Sequence, residues 1–161
     1  MGVSQRVLFV CLGNICRSPA AEGVFLQRLA QAGLQERYVV DSAGTGSWHV
    51  GKPADARMRS AAARRGIHLP SRARQLEAAD LQRFDRILTM DADNLAAVQA
   101  LARRTPQEDC RAVVEPLVRY CHRLSASEVP DPYFGGEEGF ERVLDLLEDA
   151  CDGLLMALER S

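Results

Sequence analysis

Residues 7–25 read VLFVCLGNICRSPAAEGVF, an apolar run that ends in a cysteine, a short polar turn, and then a helical pattern. The run RVLFVCL, residues 6–12, is rich in β-branched and aromatic residues, which predicts a buried strand. Ser18 and Pro19 mark a helix start, serine as a cap and proline at the first helical position. Ala21, Val24, Phe25, Leu29 and Ala32 then share one face, and Gly33 ends the helix. The segment from Cys11 to Ser18 therefore joins a buried strand to a helix N-terminus.

The same alternation runs through the chain. RYVVDSAG (37–44) reads as a second strand, ADARMRSAAARRG (54–66) as a helix closed by Gly66, and FDRILTMD (84–91) as a third strand. DADNLAAVQALARR (91–104) reads as a helix ended near Pro106, and CRAVVEPLVRY (110–120) as a fourth strand. Pro116 cannot donate to a ladder, so that strand belongs at a sheet edge. Phe140, Val143, Leu144, Leu147, Cys151, Leu154, Leu155 and Leu158 repeat at helical spacing. Strand alternating with helix predicts one α/β domain over residues 1–161, a three-layer sandwich with a parallel sheet covered on both faces. Ligands of such sheets bind outside the carboxyl ends of the strands, which is where the loop after the first strand lies.

Composition narrows the function classes. A formal net charge of −2 gives no overall attraction to nucleic acid, and no apolar run reaches the ~20 residues of a membrane span. The start, MGVSQRVLFV, lacks a signal-peptide pattern, and Arg6 stands where a myristoylation motif needs Ser or Thr. Five cysteines without a secretory signal suit a reducing cytoplasm. Zinc is not expected, because paired C-x-x-C clusters are missing and His49, His68 and His122 are scattered. Every basic residue but Lys52 is arginine, a composition expected of a GC-rich bacterial genome. Arginines 57, 59, 64, 65, 72 and 74, and the acidic residues from Glu137 to Asp152, read as solvated helix faces.

The loop itself has the makings of an anion cradle. A turn feeding a helix N-terminus can aim successive N–H groups inward, and Gly13 and Asn14 allow the tight curvature this needs. Arg17 presents a planar fork suited to two phosphate oxygens. Inward amides, the arginine, the helix end and the Ser18 hydroxyl all favour the thiolate of Cys11, placing a nucleophile at the floor of an oxyanion site. The other common phosphate loop, G-x-x-x-x-G-K-[ST], is absent, and GTGSWH is no dinucleotide fingerprint.

VCLGNICRSPAAE resembles the C-x5-R-[ST] signature of low-molecular-weight protein tyrosine phosphatases. DSAGT, GIHLPSRARQ, MDADNL and DPYFGG extend the resemblance over nearly the whole chain. It implies a four-stranded parallel sheet in the order 2-1-3-4, a phosphotyrosine-bearing protein as substrate, a bacterial tyrosine kinase among the candidates, a phosphocysteine intermediate, and no metal or other cofactor. In that reading Cys11 is the nucleophile. Arg17 and the loop Leu12, Gly13, Asn14, Ile15, Cys16 and Ser18 hold the phosphate. Asp131, bracketed by Pro130 and Pro132, is the matching general acid and then base, and Trp48 and Tyr133 match aromatic walls of the substrate cleft. Cys16 reads either as a small buried residue or, as the resemblance implies, as a resolving partner for oxidised Cys11. Many members carry histidine where Ser71 stands, in a network that holds the loop asparagine; Ser71 offers a shorter version with Asn14 and Ser42. Two alternatives remain at this point, an arsenate reductase of the same fold and a non-catalytic phosphate-binding module. The retained Asp131 and the lack of a cysteine pair in MDADNLAAVQALARR weigh against the first, and the intact set of Cys11, Arg17 and Asp131 against the second.

Overall fold

The computed structural model describes residues 5–160. Four parallel strands, β1 (Gln5–Cys11), β2 (Tyr38–Gly44), β3 (Arg86–Thr89) and β4 (Val113–Pro116), lie in the order β2-β1-β3-β4. The strand order reverses between β1 and β3, so the crevice at a topological switch point falls between their carboxyl ends.

β1 is central and apolar on both faces, with Val7, Leu8, Phe9 and Val10 fully buried. Its period of two splits them between two cores. Val7, Phe9 and Cys11 pack with α1 (Arg17–Ala32), α2 (Ala56–Ala63) and α5 (Glu137–Arg160). Leu8 and Val10 face the other side, with Leu81 of α3 (Ala78–Arg83) and Val98 of α4 (Ala92–Arg103). This is the expected three-layer α/β architecture. Among the described residues no helix is long and apolar enough to cross a membrane.

Three local readings change. The fourth strand spans only Val113–Pro116, at the edge; Leu117–Tyr120 turn into a 3-10 helix once Pro116 can no longer extend the ladder. Helix α3 was not expected, since six residues carry too little periodicity; a capping box between Glu77 and Asp80 starts it. The arginine and acidic clusters are not simply solvated faces but partners. Arg65 of the turn after α2 meets Glu141 and Asp145 of α5 at 2.8 and 2.9 Å, and Arg28 of α1 meets Glu148 and Asp152 at 2.7 Å each. Asp149 is fully buried, capping the chain at residues 122–124.

Candidate active site

β1 ends at Cys11 and α1 begins at Arg17, with Cys16 in the N-cap position. Ser18 and Pro19 therefore lie inside the first turn, and Ser18 is not the cap that the sequence suggests. Its hydroxyl is drawn instead to the Cys11 sulfur, 3.0 Å away.

The loop between them is turned inside out relative to ordinary chain. The carbonyls of Cys11, Leu12, Ile15 and Cys16 accept from the backbone N–H groups of Thr45, Gly46, Asp55 and Ala20, at 2.8–3.2 Å. A planar trans peptide sets its N–H opposite its C=O. The N–H groups of Leu12, Gly13, Cys16 and Arg17 are thereby aimed away from those partners, toward the loop interior, as an anion nest requires. Asn14 is the one non-glycine residue with a left-handed backbone among the described residues (φ 57°), and its N–H points at the Cys11 sulfur at 3.3 Å. Gly44, at the end of β2, permits the close approach: a Cβ there would stand 2.8 Å from the Leu12 carbonyl oxygen. Gly44→Ala is expected to distort the loop, weakening inorganic phosphate binding about tenfold or more while costing at most about 1–3 kcal/mol in stability; phosphate titration beside thermal melting measures both.

Hydrogen-bond direction around the cysteine follows from Asn14. Its amide Nδ2 donates to Ser18 Oγ at 2.7 Å and to Ser42 Oγ at 3.0 Å, while its Oδ1 accepts from the Arg74 N–H at 2.9 Å. Both serine hydroxyls thus have their protons free to donate onward. Ser42 donates to Glu22 at 2.6 Å, and Ser18 donates to Cys11 Sγ in preference to the Ala43 carbonyl at 3.5 Å.

Arg17 reaches across the mouth of the nest and is itself almost wholly buried. Its Nη1 donates to Asp91 at 2.6 Å and to the Val129 carbonyl at 3.0 Å, and its Nη2 lies 3.6 Å from Asp131. Burial opposes its charge, but Cys11, Asp91 and Asp131 outweigh that cost and hold the guanidinium above its ordinary pKa. Asp91 has two tasks, since its other oxygen caps α4 by accepting from Asn94 N–H at 2.8 Å. Sequence reading assigned it no role; an N-cap acid at the end of the strand beside β1 was the available signal.

One cleft contains Cys11, the loop, Arg17 and Asp131, and its walls are Trp48, His49, Tyr133 and Phe134. The structure thus brings together the residues singled out from sequence, although 120 positions separate Cys11 from Asp131. Residues 6–161 match the family model described as low molecular weight phosphotyrosine protein phosphatase. The chain belongs to this family. A low molecular weight protein-tyrosine-phosphatase of Streptomyces coelicolor is 44% identical, covering 97% of this chain and 94% of its own. The crystal structure of a protein tyrosine phosphatase from Entamoeba histolytica, with Hepes in its active site, superposes with a TM-score of 0.89 at 45% identity over 98% of each chain. A Drosophila arginine phosphatase superposes with a TM-score of 0.88 at 32% identity, over 94% of this chain and 96% of its own.

In this low molecular weight phosphatase the network behind the loop continues past Ser42. Glu22 is buried and hydrogen-bonded by both Ser42 and Ser71, so Ser71 reaches Asn14 through Glu22 and Ser42. Burial pushes the Glu22 carboxyl above its ordinary range, against the pull of those two hydroxyls. Glu22 was invisible in sequence, because an acid one turn into an amphipathic helix reads as solvent-facing. Burial also pushes the Cys16 thiol up, reinforced by Asp55, Cys11 and Asp131, so Cys16 stays neutral beside its neighbour. His49 lies against Gly13, and its Nδ1 is buried without a protein partner. Its place in the cleft was not anticipated.

Proposed function

We propose that the protein hydrolyses phosphotyrosine and simpler aryl phosphates through a phosphocysteine intermediate. The observation that carries this reading is the convergence of the Cys11 sulfur, the inward loop amides, Arg17 and the Asp131 carboxylate in one cleft. The loop amides and Arg17 hold the equatorial phosphate oxygens, and the Ser18 hydrogen bond stabilises sulfur as thiolate. Cys11 Sγ attacks phosphorus in line. The bond from phosphorus to the phenolic oxygen breaks, and protonated Asp131 gives its proton to that oxygen. In the second step the Asp131 carboxylate takes a proton from water. The water oxygen bonds to phosphorus, the phosphorus–sulfur bond breaks, and phosphate leaves with the thiolate restored.

Trp48, 67% exposed, and Tyr133 form walls that suit the flat ring of a phosphotyrosine side chain. A phosphoserine has no ring to fill the space between these walls. The substrate is accordingly a tyrosine-phosphorylated protein, of which a bacterial tyrosine kinase is one fitting example, and the expected location is the cytoplasm. An arsenate reductase reading has less support, because α4 carries no cysteine to receive a disulfide from Cys11.

Asp131→Ala tests the assignment of the acid. With kcat/KM as the measure, it is expected to slow esters of poor leaving groups about 10²–10⁴-fold and strongly activated aryl esters far less. Equal losses across a leaving-group series would remove Asp131 from that role.

A further inference from the structure

Pro130 and Pro132 stiffen the backbone at Asp131 itself, but the loop that follows has little in its own sequence to hold it. Residues 131–136 read DPYFGG, Phe134 is 94% exposed, and a side chain added at Gly136 would meet nothing within 4 Å. Two adjacent glycines raise the conformational freedom of such a segment. A general acid, by contrast, must be held within a fraction of an ångström of the leaving oxygen.

Arg17 holds the chain before Asp131, through the Val129 carbonyl, and the restraint on the part after Asp131 comes from α2. Arg57 Nη2 donates to the Tyr133 carbonyl at 2.9 Å, and the Tyr133 N–H donates to Asp131 Oδ1 at 3.1 Å. Tyr133 is thus held on one side by Arg57 and holds the acid on the other. The guanidinium also lies over two aromatic rings, 5.4 Å from the centroid of Tyr133 and 4.8 Å from that of buried Phe140. Its orientation is set by Asp55, which takes a fork of two bonds, Nε to Oδ1 at 3.1 Å and Nη2 to Oδ2 at 3.0 Å. Asp55 in turn donates its backbone N–H to the Ile15 carbonyl at 2.8 Å. A continuous path therefore runs from the phosphate loop through Asp55, Arg57 and Tyr133 to Asp131. Since the Arg57 side chain is 47% exposed, its ion pair with Asp55 adds little to global stability. Its geometry, not its charge pairing, is what the site uses.

We propose that Arg57 is a positioning residue for the reaction, locking the acid-bearing loop to the phosphate loop so that Asp131 faces the leaving oxygen. This rests on the reading of Asp131 as general acid, and the test separates the two. Leaving-group dependence of kcat/KM is measured with aryl phosphates for the native protein, Arg57→Met, Asp131→Ala and the double variant. Arg57→Met is expected to lose about tenfold or more on poor leaving groups and no more than about twofold on the most activated ester, with inorganic phosphate affinity unchanged. In the Asp131→Ala background the same change is expected to alter no rate by more than about twofold, because two residues acting as one unit are non-additive. Arg57→Lys, which keeps a cation and a donor but not the fork, should recover part of the loss. A uniform loss over all esters, or an equal loss with Asp131 already removed, would overturn the proposal in favour of a general structural role. If Asp131→Ala shows a steep leaving-group dependence and Arg57→Met none, only the positioning role fails. If Asp131→Ala shows no such dependence, the acid assignment falls first and this inference with it. Should Arg57→Met not fold, Arg57→Gln gives the same comparison.

Discussion

Cys11→Ser is expected to abolish turnover of an aryl phosphate, by about 10⁴-fold or more, while inorganic phosphate still binds. The effect is large because the exchange removes the proposed nucleophile and nothing else. Serine is close to cysteine in size, and Cys11 is only 2% exposed, so the strand end and loop should keep their packing. The binding elements, the inward amides and Arg17, belong to other residues and to the backbone. A hydroxyl at this position meets the Asn14 N–H and the Ser18 hydroxyl, which are donors, and no adjacent base to take its proton. Hydrolysis of p-nitrophenyl phosphate and calorimetric titration with phosphate separate the two effects. Normal turnover in the variant would eliminate the phosphocysteine mechanism.

The second large effect concerns stability, far from the cleft. Asp149 on α5 is 1% exposed, yet its carboxylate accepts from three successive N–H groups, those of His122, Arg123 and Leu124, at 2.8–3.2 Å. His122 Nδ1 lies 3.1 Å away and Arg123 Nε 3.5 Å. This one side chain pins the connection that leaves β4, and Gly153 one turn later lets the Tyr120 carbonyl lie where a Cβ would overlap it. Asp149→Ala leaves that turn unsatisfied and is expected to cost about 3 kcal/mol. For a chain of this size that lowers Tm by about 6–12 °C. Burial raises the Asp149 pKa, but the N–H groups of Leu124, His122 and Arg123 and the nearby imidazole lower it further, to below the usual carboxylate range. A depressed pKa stabilises the folded state above the unfolded value of about 3.9 and loses that contribution as pH falls through the folded pKa. The difference between native protein and variant should accordingly hold from pH 7 to about 4 and shrink below that. Denaturant melts across that range check it; a difference that already vanishes at pH 6 would contradict the account.

Much of this molecule could be read from local pattern. The buried run before Cys11, the helical repeat from Phe140 to Leu158 and the edge placement demanded by Pro116 each follow from side-chain period or from a missing N–H. The loop was legible for the same reason, because cysteine, Gly13, Asn14 and Arg17 lie within seven positions. The Ser18 assignment failed for an instructive reason. Serine before proline is a cap by propensity, but here the chain enters the helix two residues earlier, and the hydroxyl has a buried sulfur to satisfy.

By itself, then, the sequence determined the layer architecture and marked the loop from Cys11 to Ser18 as the candidate site, because these depend on residues close together along the chain or on a repeating period. Only the tertiary structure decided how Arg17 is held by Asp91, how Glu22 comes to be buried behind Ser42, which of the arginines pair with α5, and that Arg57 reaches the Tyr133 carbonyl. Those contacts join residues 20 to 124 positions apart. A charged residue looks alike in sequence whether it faces water or a partner, and only the packing of sheet and helices brings the partner within reach.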